Sequence, residues 1–117
     1  MIRLSTDRGL IAVDSDVYTS IAGHAANNCF GVKGMCVRSM TDGLMHLLRP
    51  ESKSKGVKVV FCEYGSIEID LHIMVDRDIN ISAIGESIIH RVQHDVEKST
   101  GTTVKAVNIY VDSITED

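Results

Sequence analysis

From Ile67 to Val75 every odd position is apolar (Ile67, Ile69, Leu71, Ile73, Val75), while Ser66, Glu68, Asp70 and His72 hold the even positions and only Met74 breaks the polar face. Strict period two predicts a half-buried strand. The run before it places Val57, Val59 and Phe61 on one face and Val60 and Cys62 on the other. Apolar groups on both faces predict a strand inside the sheet. Between the two runs, Glu63-Tyr64-Gly65-Ser66 reads as a tight turn in which Gly65 takes a positive φ and fixes the register. The rest of the chain must cover the resulting Ile/Leu/Val face.

Upstream, Gly9 to Val13 is a short apolar run ended by Asp14-Ser15-Asp16, which predicts a strand feeding a helix capped by Asp14. Val17, Ile21 and Ala25 recur at i+4 with Tyr18 and Ala22 beside them, and Asn27-Asn28 and Gly31 end the helix. Val32 to Met40 reads as a short irregular strand. Thr41 or Asp42 then caps a brief helix carrying Leu44, Leu47 and Leu48, with Pro50 just beyond and a solvated loop from Glu51 to Lys55. After the turn Asp76-Arg77-Asp78 comes the longest helical pattern. Asn80 is its N-cap, Ile79 and Ile84 form a hydrophobic staple, Ile88, Val92 and Val96 continue the stripe, and Gly101 stops it. Thr103 to Asp112 alternates again and returns to the sheet. The expected order β-α-β-α-β-β-α-β implies an α+β two-layer sandwich, a mixed sheet with its helices on one face.

The chain has 117 residues, 44% of them hydrophobic, enough for one core, so residues 1–117 read as a single domain. A formal charge of -4 and a pI near 5.7 give no positive field for nucleic acid, and no nucleic-acid partner is expected. No apolar run reaches membrane-spanning length, and MIRLSTDRGL lacks the apolar stretch of a secretory signal, so a cytoplasmic location is expected. Cys29, Cys36 and Cys62 are odd in number and not closely spaced, which suits reduced, buried thiols rather than a disulfide framework.

Candidate chemistry is sparse. His90 and His94 stand four apart on the long helix, a spacing that two metal-binding imidazoles need. Arg91 occupies the place of a zincin glutamate, and Glu86, Asp95 and Glu97 are the nearby third-ligand candidates. A solvated helix face is the plainer reading. Gly31-Val32-Lys33-Gly34 matches the G-x-x-G by which KH modules clamp a nucleic-acid backbone, against a plain helix-to-strand turn. No phosphate loop, C-x-x-C or nucleophile elbow is present, so no catalytic residue and no cofactor is assigned. His72 shares a polar strand face with Glu68 and Asp70, either a solvated cross-strand network or a partner-binding face. Asn108, Tyr110 and Asp112 point away from Val107, Ile109 and Val111 on the last strand. There Tyr110 is either an aromatic anchor for a partner or second copy at a sheet edge, or a cover for its own sheet.

Several stretches together resemble a known family. GLIAVDSDV, IAGHAANNCFGVKGM, KGVKVVF, IEIDLHIMV, INISAIGESIIHRVQHDVEKSTG and VKAVNIYVDSI, in that order from Gly9 to Ile114, are similar to the alkaline shock proteins of Gram-positive bacteria. That group is also called the Asp-twenty-three/Gls-twenty-four envelope stress response family. The most specific pieces are Gly31 to Met35, the K-G-V before the hairpin, and Thr100 to Val111. The short length resembles the small single-domain members often encoded beside a dihydroxyacetone-kinase-like fatty acid kinase. The resemblance implies a cytoplasmic, non-enzymatic protein that acts through protein contacts, such as a membrane anchor protein or a lipid-metabolism enzyme, and that reaches the membrane through its partner. One departure stands out: where the family commonly has Tyr-Gly after the central strand, this chain has Arg77-Asp78.

Overall fold

The computed structural model describes residues 1–38, 45–47 and 56–115, with side chains described for 1–36 and 56–115. Its elements are β1 (Ile2–Thr6), β2 (Gly9–Val13), α1 (Ser15–Asn27), β3 (Val32–Arg38), β4 (Met45–Leu47), β5 (Val57–Phe61), β6 (Ile67–Val75), α2 (Ile81–Thr100) and β7 (Val104–Ile114). The centre is β6, whose five apolar side chains are fully buried while its even positions stay half-buried. Along one side it pairs in parallel with β7; along the other it pairs antiparallel with β5 at its start and with β3 at its end. β3 then leaves the central strand and pairs with β4. The seam is built on Gly56, where a Cβ would lie 2.9 Å from the Cys36 carbonyl oxygen and 2.9 Å from Met35 Cβ. No side chain fits there.

Both helices cover the apolar face of this mixed sheet and pack on each other, so the α+β two-layer architecture is the one the patterning implies. Asn80 caps α2 by accepting the Ala83 N–H at 3.1 Å, and Gly101 ends it in the left-handed region at φ 74°. Ile79 and Ile84 converge as a staple: their Cδ1 atoms both lie 3.2 Å from where a Cβ on Gly31 would sit. Asp14 caps α1 by accepting the Asp16 N–H. The buried stripe of α1 is rotated from the expected one, running through Tyr18, Ala22, Ala25 and Ala26 while Val17 is exposed. Small alanines allow close approach to sheet and helix, and Tyr18 fills the space left. Its ring meets Phe61 edge to face at 6.2 Å, and its hydroxyl lies 2.6 Å from Thr102 Oγ1 in a buried hydrogen bond.

One strand is added to the expected order and two expectations are corrected. Residues 2–6 form a strand, β1, hairpin-paired with β2. Met45–Leu47 is a strand rather than part of a helix, because it finds the continuing β3 as a partner; the remainder of that proposed helix and the Glu51 to Lys55 loop lie outside the described residues. Finally, β5 is not inside the sheet: among the described residues it pairs only with β6, since β3 and β5 share one side of that strand. Its second apolar face, at Val60, is accordingly part-exposed.

Candidate interaction surface

The parallel register of β6 and β7 sets Asp70 beside Asn108 and His72 beside Tyr110. On the face away from the helices these pairs form a connected ladder. Asn108 Nδ2 donates to Asp70 Oδ1 at 2.8 Å. The His72 and Tyr110 rings stack, with centroids 4.8 Å apart and planes at 14°. The next step is charged: His72 Nδ1 lies 2.8 Å from Asp112 Oδ2, and since a carboxylate only accepts, that ring nitrogen donates. The sequence-derived candidates His72, Asn108 and Tyr110 are thus gathered in one patch, and Tyr110 keeps 45% of its surface in solvent. Glu68, Asp70 and Asp112 make the patch acidic, with Lys58 opposite Asp70 on β5.

β7 is also an edge, paired only with β6 among the described residues. Beside it, an open groove of about 570 Å³ is lined by Ile81, Gly85, Ile89, Ile109 and Val111 among others. At the far end of the hairpin Tyr64 is fully solvent-exposed in a left-handed conformation, φ 60° and ψ 29°. Sequence reasoning singled out Gly65 in this turn and passed over Tyr64. An aromatic residue ahead of the turn glycine was the available signal.

The other candidates do not assemble into a site. His90 and His94 are exposed, and the acid beside them, Asp95, has one oxygen 3.6 Å from His94 Nδ1 while the other is taken by Arg91. Asp95 accepts from Arg91 Nε at 3.0 Å, and Glu97 Oε2 accepts the Val104 N–H at 2.9 Å. Among the described residues no three His, Cys, Asp or Glu side chains converge. The G-x-x-G is not a loop between helices: Gly31 precedes β3, Gly34 is paired with Met74 within it, and Lys33 faces Asp76 at 3.8 Å. Gly31 is required by its φ of 87° and by the Ile79/Ile84 staple beneath it, not by a phosphate. All three thiols are free; burial pushes Cys36 up to about 11, with Asp112 adding in the same direction, and burial pushes Cys29 upward against the opposing charge of Arg91, with Asp95 adding a smaller rise.

Residues 3–116 match the model of the Asp-twenty-three family, described by a cell envelope-related function. The chain belongs to that family. Two relatives match across nearly their whole length. Uncharacterized protein YloU of Bacillus subtilis is 36% identical over 114 residues, 97% of this chain and 94% of that protein. Uncharacterized protein Spy1614 of Streptococcus pyogenes is 34% identical over 114 residues, covering 97% and 93%. Among solved structures, the MamM CTD in a manganese form superposes with a TM-score of 0.50 at 15% identity, over 86% of this chain and 99% of that one, a likeness of fold. The family's description names no reaction, and no described helix here is long and apolar enough to cross a membrane.

Proposed function

We propose that this Asp-twenty-three family member is a non-enzymatic interaction module of the cell envelope. It works on the cytoplasmic side by binding proteins, a membrane anchor protein or a lipid-metabolism enzyme being the expected partner class. The observation that carries the reading is the Asp70–Asn108, His72–Tyr110, His72–Asp112 ladder, which holds an aromatic ring stacked and half-exposed beside an open strand edge. A preordered Tyr contributes large contact area at little entropic cost, and the stacked imidazole removes the ring's remaining freedom. The acidic residues around it favour a partner surface bearing Lys or Arg.

The test is affinity capture from the native host with mass spectrometry, comparing wild type with Tyr110→Ala. Loss of a membrane-anchored or lipid-metabolism protein with the Tyr110 ring supports the reading. Capture identical in both proteins would remove the ladder from partner binding.

A further inference from the structure

The β1–β2 hairpin carries an apolar face that outruns the core. Its register pairs Ile2 with Val13 and Leu4 with Ile11, so all four share one face. At the base Ile2 is buried and Val13 packs on the core, but one step outward Leu4 and Ile11 are 43% and 53% exposed. A two-stranded ribbon is marginal by itself in water, and an uncovered aliphatic pair does not help it. The groove between α2 and β7 has the converse features: an aliphatic wall of Ile81 and Ile89, and a strand edge without a described partner. In its floor sits Gly85, inside α2, where a Cβ would meet nothing within 4 Å. The fold itself therefore does not require glycine at that position. What a helical glycine permits is close passage of another backbone.

We propose that the β1–β2 arm of one copy docks into the α2–β7 groove of a second copy, adding strands to the open edge of β7. The inference rests on the reading of this chain as an interaction module and names one partner, the chain itself. Docked this way, Leu4 and Ile11 cover Ile81 and Ile89 across Gly85, and the arm's other face, with Arg3, falls on the side of Asn108 and Asp112. Charge agrees: Arg3 and Arg8 outnumber Asp7 on the arm, while Glu86 is the charged residue lining the groove. Pairing of β7 with β7 of a second copy would also satisfy the edge, but it leaves the arm's apolar face in water. Because arm and groove are different surfaces, the contact is head-to-tail and extends into a ring or a chain of copies.

Sedimentation of the full chain across a wide concentration range tests this with two variants. Leu4→Thr/Ile11→Thr keeps strand propensity and removes the aliphatic pair; Gly85→Trp fills the groove from a position with open space around it. Circular dichroism and thermal unfolding verify that each is folded, and Leu4→Ser with Ile11 retained replaces the first variant if it is not. The expected result is association of wild type, about tenfold or greater weakening in each variant, and recovery of a two-chain complex when the variants are mixed, since one keeps its groove and the other its arm. Wild-type association in the arm variant with loss in Gly85→Trp would overturn the proposal in favour of β7 self-pairing. A wild type monomeric at every concentration would overturn it as well, without touching Tyr110-dependent capture of other proteins. Conversely, recovery on mixing together with Tyr110-independent capture would leave this contact standing and remove the heterologous reading.

Discussion

Tyr64 and Gly65 both hold positive φ, 60° and 74°, at the centre of the turn closed by the Ser66 N–H donating to the Glu63 carbonyl oxygen. Gly65 does so without cost, whereas an L-residue with a Cβ loses roughly 1–2 kcal/mol in that region. With its ring fully in water, Tyr64 gains nothing from packing to offset this. Tyr64→Asn, which gives the preferred Asn-Gly pair, is expected to stabilise the chain by about 1 kcal/mol in urea unfolding. The same logic applies to the turn after β6, where Asp78 has φ 65°. Asp tolerates that region better than most residues, so this turn forms without a glycine. At Tyr18 the case is one of burial. Tyr18→Phe leaves the Thr102 hydroxyl without its 2.6 Å partner in a buried setting and is expected to cost about 1–2 kcal/mol, while Tyr18→Phe/Thr102→Val together should cost less than the sum of the two.

Among the elements, α2 and β6 were legible because each carries a local code that tertiary context does not override. β6 alternates without a break on its buried face, and α2 has a cap, a staple, an i+4 stripe and a stop glycine that agree with one another. Removing one part of that code has a predictable size: Asn80→Ala should destabilise by about 1 kcal/mol by freeing the Ala83 N–H. Gly85→Ala should do the opposite, stabilising by about 1 kcal/mol because the methyl enters open space inside a helix. Both are read from denaturation midpoints at unchanged slope. Elements whose identity depends on a partner were harder to read. β1 alternates Ile2 and Leu4 with Arg3 and Ser5, but five residues at a chain end carry no helix or strand signal strong enough to stand without the β2 register. Met45–Leu47 is strand only because β3 continues past β6 to meet it. For β5, two apolar faces suggested the interior; Phe61 in fact reaches Tyr18, and Val60 is exposed on a strand that pairs only with β6 among the described residues. The ladder of His72, Asn108 and Tyr110 was legible as residues on polar strand faces, yet not as a cluster, because only the parallel register brings β6 and β7 side by side.

At the scale of the whole molecule, the core lies in one layer between two helices and one sheet face, and the seam where β3 hands over to β5 closes that layer at Gly56. Cys36 sits at this seam, 1% exposed, and its thiol is pushed up to about 11, first by burial and then by the negative charge of Asp112. The unfolded chain releases the same proton near the ordinary value of 9.0. Below that value both states hold the proton and this thiol takes nothing from the stability of the fold. Above it the unfolded state is favoured by ionisation, so stability falls as pH rises from about 9 to about 11 and levels off once the folded thiol also ionises. Two pH units at about 1.4 kcal/mol each set an upper bound near 3 kcal/mol, with Cys29, shifted the same way, adding to the slope. Guanidinium unfolding just below and within this window should show that decline in wild type and a shallower one in Cys36→Ala, whose midpoint at neutral pH drops only by the cost of a small cavity. Equal slopes in the two proteins would mean that the alkaline loss of stability originates away from the β3–β5 seam.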